Sequence, residues 1–246
     1  MSVPDQVLRE YAPTGELRVA LNHGNRILVG RDPSGAATGI SVDLARTLAD
    51  RLNLPLRFVE YERAVDVSSS SQEDVWDVCF LAVDPKRAET IDFTEPYIRI
   101  EGNYLAAPTC PAKTSQELVD SGLKVGSIVG TAYSLTLERL PGSENIVYYH
   151  DIFALLEALD AGEVTAIAGI GPVMAREAEK RPGSHVLTPP FMEIRQAMAV
   201  PRGRPSAAAH LRNFLGEAAR SGLVGDILER HGVARDCALL PDQALR

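Results

Sequence analysis

The sequence of 246 residues predicts an α/β protein built as two lobes joined by two crossover segments. Three observations carry this reading. Strand-like and helix-like segments alternate, and the alternation appears twice along the chain. A near-continuous apolar run at 78–83, VCFLAV, stops at Asp84-Pro85, as a strand buried on both faces would. No internal repeat of about 20–50 residues is present, which excludes a solenoid.

A short amphipathic segment at 6–11 leads in. Residues 17–21, LRVAL, read as the first strand, followed by the loop Asn22-His23-Gly24-Asn25 and the turn Asp32-Pro33-Ser34-Gly35. Residues 41–52 form a helix, with Leu44, Leu48 and Leu52 aligned at a spacing of four. Residues 56–61 are the second strand, and the polar stretch 68–71 is a loop or a helix start. After the 78–83 strand, residues 101–107 lead out of the first lobe as a strand. The second lobe holds a short helix at 115–119, a strand at 124–128 and a helix opened by Gly130-Thr131-Ala132-Tyr133-Ser134. A strand at 146–149 and a helix at 152–159 follow; a short strand at 166–168 ends at Gly169-Ile170-Gly171-Pro172. A strand at 196–200, ended by Pro201-Arg202-Gly203, returns the chain to the first lobe. Helices at 207–221 and 224–230 complete it, with Gly232 just past the last. The lobes are expected at 1–104 with 199–246, and at 105–198.

Hydrophobic residues make up 45% of the chain, enough to bury a sizeable core. The net charge of -8 argues against nucleic acid or an anionic membrane as the main partner. No apolar stretch reaches the roughly 18 residues of a membrane span. The start, MSVPDQVLREYAPTGELRVA, lacks the basic and apolar regions of an export leader and a lipid-accepting cysteine. The chain as written is expected in the cytoplasm, or in the periplasm if a leader has been trimmed. Cys79, Cys110 and Cys237 lie too far apart in sequence to suggest a metal motif or a disulfide framework. Cys79 reads as a small core residue. His23, His150, His185, His210 and His231 are scattered without motif context. No metal or cofactor is expected, and a monomer is the default state.

The segment 76–97, WDVCFLAVDPKRAETIDFTEPY, carries the most information. Ligands of open α/β sheets bind beyond the carboxyl ends of the strands. Arg87 follows such an end and offers a permanently charged fork suited to a carboxylate. The plain alternative is a solvated arginine on a helix after Pro85. With Asp77 before it and Asp92-Phe93-Thr94-Glu95-Pro96-Tyr97 after it, the segment resembles the motif of family 3 solute-binding proteins. The resemblance runs over roughly 17–232 and implies the periplasmic-binding-protein-like fold of type II, with mixed sheets and an inter-lobe ligand cleft.

The resemblance implies that Arg87 clamps the α-carboxylate of an amino acid, and that Gly130, Thr131 and Tyr133 hold its other side. Gly130-Thr131 between a strand and a helix also suits an anion through backbone N–H groups, or simple N-capping by Thr131. Asn22, His23 and Asn25 follow the first strand. Asn22 and Asn25 offer neutral donors and acceptors where relatives often carry an acid and an aromatic; a loop bonding its own backbone is the alternative. Phe80, Ala82 and Asp84 occupy serine and threonine positions of the family, and Ala82 is counted as a ligand contact. Asp43 and Asp77 are expected to be structural, the latter as a turn or capping residue. Trp76 is expected to pack locally.

One departure limits the analogy. Amino-acid receptors of this family place an aspartate after the strand that here ends at Gly169-Ile170-Gly171, to pair with the ligand ammonium. Ile170 stands in that place. The ligand is then expected to lack an α-ammonium, or to present its amine to Glu101, Asp151 or Glu193. Glu193, Arg195 and Gln196 also read as a solvated edge. Three functional classes follow. The first is a non-catalytic receptor that closes on a small carboxylate and serves an ABC transporter permease. The second is a cytosolic enzyme of the same fold resembling cyclohexadienyl dehydratase, with Glu193 or Asp151 as general acid. The third is a cytosolic sensor.

Overall fold

The apolar run at 78–83 forms a strand, Val78–Ala82, whose five residues are all buried. The structure, a computed structural model, describes residues 3–243. Two compact units divide the chain. The first takes the described residues of Met1–Arg99 and Arg195–Arg246, and the second takes Ile100–Ile194.

In chain order the first unit holds α1 (Asp5–Tyr11), β1 (Leu17–Asn22), β2 (Gly30–Arg31), β3 (Ala37–Thr38), α2 (Ile40–Leu52) and β4 (Leu56–Tyr61). It continues with α3 (Ala64–Ser69), β5 (Val78–Ala82) and β6 (Ile91–Phe93). The chain passes into the second unit within β7 (Ile98–Ala106). That unit holds α4 (Ser115–Asp120), β8 (Val125–Ile128), α5 (Ala132–Leu137), β9 (Ile146–Tyr149), α6 (Ile152–Asp160), β10 (Ala166–Ile170), α7 (Gly171–Glu179) and β11 (His185–Val186). The return runs within β12 (Met192–Pro201), and α8 (Pro205–Arg220) and α9 (Leu223–Arg230) end the first unit's helices.

Each unit is built on a mixed sheet. In the first, the order is β4-β1-β5-β12, with β6 also on β12. Strand β1 is parallel to β4 and β5, whereas β12 is antiparallel to β5 and β6. In the second, the order is β7-β10-β8-β9. There β8 is parallel to β9 and β10, and β7 is antiparallel to β10 and β11.

Leu44, Leu48 and Leu52 are buried along α2, as their spacing predicts. One face of the first sheet packs Ala20, Trp76, Cys79, Leu81 and Ile91 together. Trp76 donates its indole N–H to Ser70 Oγ at 3.0 Å, so its one polar atom is satisfied inside. In the second unit Leu105, Leu155, Leu159, Ile167 and Met174 form the corresponding cluster. Burying each such side chain contributes about 1.5–3 kcal/mol.

Gly39 precedes α2 with φ 120°, and a Cβ there would lie 2.5 Å from the Leu28 carbonyl oxygen. Gly39→Ala is expected to destabilise the protein by about 1–3 kcal/mol, read as a lowered urea midpoint.

Several segments differ from the sequence reading. Strands β7 and β12 begin at Ile98 and Met192, earlier than the expected 101 and 196, because their first residues alternate buried with exposed rather than forming an apolar run. Strand β10 continues to Ile170, and α7 starts at once, with a proline in its first turn. A missing N–H costs little there, so Pro172 opens a helix that its turn-like context hides. Residues 68–71 finish α3 and enter a 3-10 turn rather than forming a loop.

Candidate functional site

The parallel strands of the first unit bring several singled-out residues to one edge. In register, Asn22 pairs with Tyr61, and Ala20 with Cys79, so β1, β4 and β5 finish together. The loops beyond them hold Asn22 to Asn25 and the turn after Ala82. That turn is tightly built. The Ala88 N–H donates to the Asp84 carbonyl at 2.9 Å, and the Lys86 N–H donates to Asp84 Oδ1 at 2.9 Å. Arg87 opens a 3-10 turn and donates from Nη1 to the Ala82 carbonyl at 3.1 Å. Ala82 thus orients the guanidinium through its backbone. Arg202 steadies the turn, donating from Nε to the Ala88 carbonyl at 2.8 Å and from its N–H to the Thr90 carbonyl at 2.9 Å.

Arg87 is 4% exposed, so the solvated alternative does not hold. Burial lowers its pKa, and the charge of Asp84 pulls it back up. Asp84 is itself only 2% exposed, a feature that the sequence reading passed over.

Asn22 and Asn25 bond their own loop. Asn22 Oδ1 accepts the Gly24 N–H at 3.1 Å, and Asn25 Oδ1 accepts the Ile27 N–H at 3.3 Å. His23 Nε2 lies 2.8 Å from Glu60 Oε2, which also pairs with Arg31 Nη1 at 2.7 Å.

In the second unit the parallel strands β8, β9 and β10 also end at one edge, in the register Val125–Ile146 and Val125–Ala166. Gly130, at φ 74°, turns the chain into α5. Thr131 caps that helix: its Oγ1 accepts the Ser134 N–H at 3.2 Å and donates to the Ile128 carbonyl at 2.8 Å. Tyr133 is buried, which pushes its pKa up to about 12.

Ile170 ends β10 half-buried and precedes α7. Its neighbours have little room. A Cβ on Gly171 would lie 2.5 Å from Asn103 Oδ1, and one on Gly169 would lie 2.6 Å from the Met174 methyl.

The suggested substitutes for the ammonium partner fare unequally. Asp151 is the N-cap of α6, and its Oδ1 accepts the Phe153 and Ala154 N–H groups at 2.8 and 2.9 Å. A carboxylate so engaged is a helix cap. Asp151→Ala is expected to cost about 1 kcal/mol of stability and to leave ligand affinity unchanged, checked by melting and titration. Glu101 and Glu193 are exposed on β7 and β12, and Gln196 is buried opposite Ala82.

Asp77 does more than finish a turn. It is fully buried and accepts from Arg18 Nε at 2.8 Å, Arg18 Nη2 at 2.8 Å and Arg204 Nη1 at 2.5 Å. Asp74 completes the network through the Nη2 atoms of Arg18 and Arg204. Asp43 is structural as expected, pairing with Arg230 and His231 at 2.9 Å each.

The fold is that of the type II periplasmic binding proteins. An arginine-binding protein from T. maritima, in mutant form, superposes with a TM-score of 0.76 at 20% identity, over 92% of this chain and 99% of that one. An ancestral amino-acid-binding protein, described as a precursor of cyclohexadienyl dehydratase, gives 0.74 at 22% identity, over 91% and 97%. The model of the bacterial extracellular solute-binding proteins, family 3, matches residues 17–234, and the chain belongs to that family. The amino-acid-binding protein AabA of Dichelobacter nodosus is 24% identical over 153 residues, 61% of this chain. That match spans 60% of the relative's own length. No described helix is long and apolar enough to cross a membrane.

Proposed function

We propose that this protein is a solute receptor whose two units close on a small carboxylate ligand, amino-acid-like or another organic acid. Arg87 takes the carboxylate, and the Gly130-Thr131 turn meets the ligand from the other unit. Closure follows because a ligand that touches both units favours the state in which both contacts are made. The observation that carries this reading is Arg87 itself, a buried guanidinium aimed by the Ala82 carbonyl at the carboxyl edge of β5. Burial strengthens a fork-to-carboxylate pair by removing competing water. Membership of the family supports transport as the setting, with an ABC transporter permease as partner and the periplasm as the place. The capping role of Asp151 takes away one of the two general acids, Asp151 and Glu193, on which the enzyme reading draws.

Asn22, Asn25, Tyr133 and Ile170 complete the proposed surroundings of the ligand. With Ile170 at the end of β10, the ligand either has no α-ammonium or offers it to an acid elsewhere. Calorimetric titration with amino acids, 2-oxo acids and 2-hydroxy acids tests the proposal. At least one free acid is expected to bind, and its methyl ester to bind at least about tenfold more weakly. Equal binding of acid and ester contradicts the clamp.

A further inference from the structure

Among the described residues, the amide side chains that are buried belong to Asn22, Asn25, Asn103 and Gln196. Those of the three asparagines serve the backbone. Asn22 and Asn25 accept N–H groups of their own loop, and Asn103 donates from Nδ2 to the Leu187 carbonyl at 3.2 Å. Gln196 differs. It is 5% exposed, yet among the described residues its side chain makes no hydrogen bond. Its amide oxygen and nitrogen are not among the sealed atoms that lack a partner, so the head keeps an opening while the stem is covered. An amide held out of bulk water without a partner costs free energy, and such a group calls for a reason.

Its place in the sheet supplies one. Gln196 stands directly opposite Ala82 in the antiparallel pair of β12 with β5, so the two side chains share one face. The Ala82 carbonyl anchors Arg87, and the Ala82 side chain offers no polar atom of its own. The Gln196 carbonyl accepts the Tyr97 N–H at 2.9 Å, which fixes the strand under the amide. The amide thus stands beside the anchor of the guanidinium, and it brings no charge. The buried acid of that turn is already engaged: Asp84 Oδ1 accepts the Lys86 N–H, and its charge offsets the burial of Arg87. An ammonium set against a neutral amide keeps an uncompensated charge, which is costly out of water. A neutral oxygen needs only a hydrogen bond, which glutamine can give or accept.

We infer that Gln196 is a specificity-determining residue, whose amide hydrogen-bonds a neutral oxygen on the carbon beside the ligand carboxylate. This deepens the carboxylate-receptor reading and rests on it. Among acids with the same side chain, the receptor then selects the 2-hydroxy or 2-oxo acid. It disfavours both the 2-amino acid and the acid with no substituent at that carbon.

The test uses matched sets titrated into the full chain. One set is 2-hydroxyisocaproate, 2-oxoisocaproate, leucine and isocaproate; others are built in the same way on phenylalanine and glutamate. For the side chain that binds best, the wild type is expected to prefer the hydroxy or oxo acid over the other two by at least about fivefold. Gln196→Leu, which keeps most of the volume, is expected to level the ratio of the oxygen-bearing acid to the unsubstituted one. Gln196→Glu, which keeps the shape and adds a charge, is expected to move the preference toward the amino acid. Circular dichroism checks that each variant is folded. A wild-type preference for the amino acid or the unsubstituted acid overturns the inference and leaves the carboxylate reading standing. An unchanged ratio in Gln196→Leu does the same. Failure of every carboxylate to bind the wild type overturns both readings.

Discussion

Arg87→Ala is expected to weaken binding of any carboxylate ligand by at least about thirtyfold. Removing one partner of a buried, hydrogen-bonded charge pair costs about 2–5 kcal/mol, and each 1.4 kcal/mol is tenfold in affinity. The loss has two parts. The ligand carboxylate loses its fork, and Asp84 keeps a buried negative charge that now repels it. Arg87→Lys is expected to recover little, because an ammonium is a point charge and cannot make two parallel bonds to one carboxylate. Arg87→Met keeps most of the volume and separates charge from packing. Titration of the three variants, with circular dichroism to verify folding, reads the result. Unchanged affinity in Arg87→Ala refutes the clamp.

The second large effect concerns folding. Asp77→Asn is expected to destabilise the first unit by about 3–5 kcal/mol, since it removes the fully buried carboxylate and leaves Arg18 and Arg204 with the exposed Asp74 as their remaining anionic partner in this network. The side chains of Arg18 and Arg204 are 6% and 14% exposed, so water cannot readily replace the lost carboxylate. Truncating Arg204 alone is expected to cost less, because Arg18 still holds Asp77 through two side-chain bonds. Urea denaturation followed through Trp76, which is buried in the same unit, measures both. A change under about 1 kcal/mol for Asp77→Asn shows the network to be solvated and dispensable.

Most of the fold was legible because its signals are local. The apolar run 78–83 and the leucine spacing in α2 each identify an element without reference to the rest of the chain. Arg87 was legible for the same reason, standing just past a strand end. What was not legible depends on distance or on context. The Arg18–Asp77–Arg204 network joins residues 59 and 127 positions apart, which no pattern along the chain reveals. Helix α7 was hidden because Gly171-Pro172 signals a turn as well as a helix start. Asp151 looked like a free acid because capping is seen only when the helix begins. Asp84 reads as a stop signal for β5, since sequence alone cannot tell that a polar residue in an exposed turn is buried.

The central claim is that Arg87 holds a ligand carboxylate. A crystal structure with the tightest-binding acid of the panel tests it most directly. Both carboxylate oxygens are expected within about 3 Å of the Arg87 guanidinium nitrogens, with Nη1 still donating to the Ala82 carbonyl. A carboxylate bound by other residues, with Arg87 making no contact to it, contradicts the clamp.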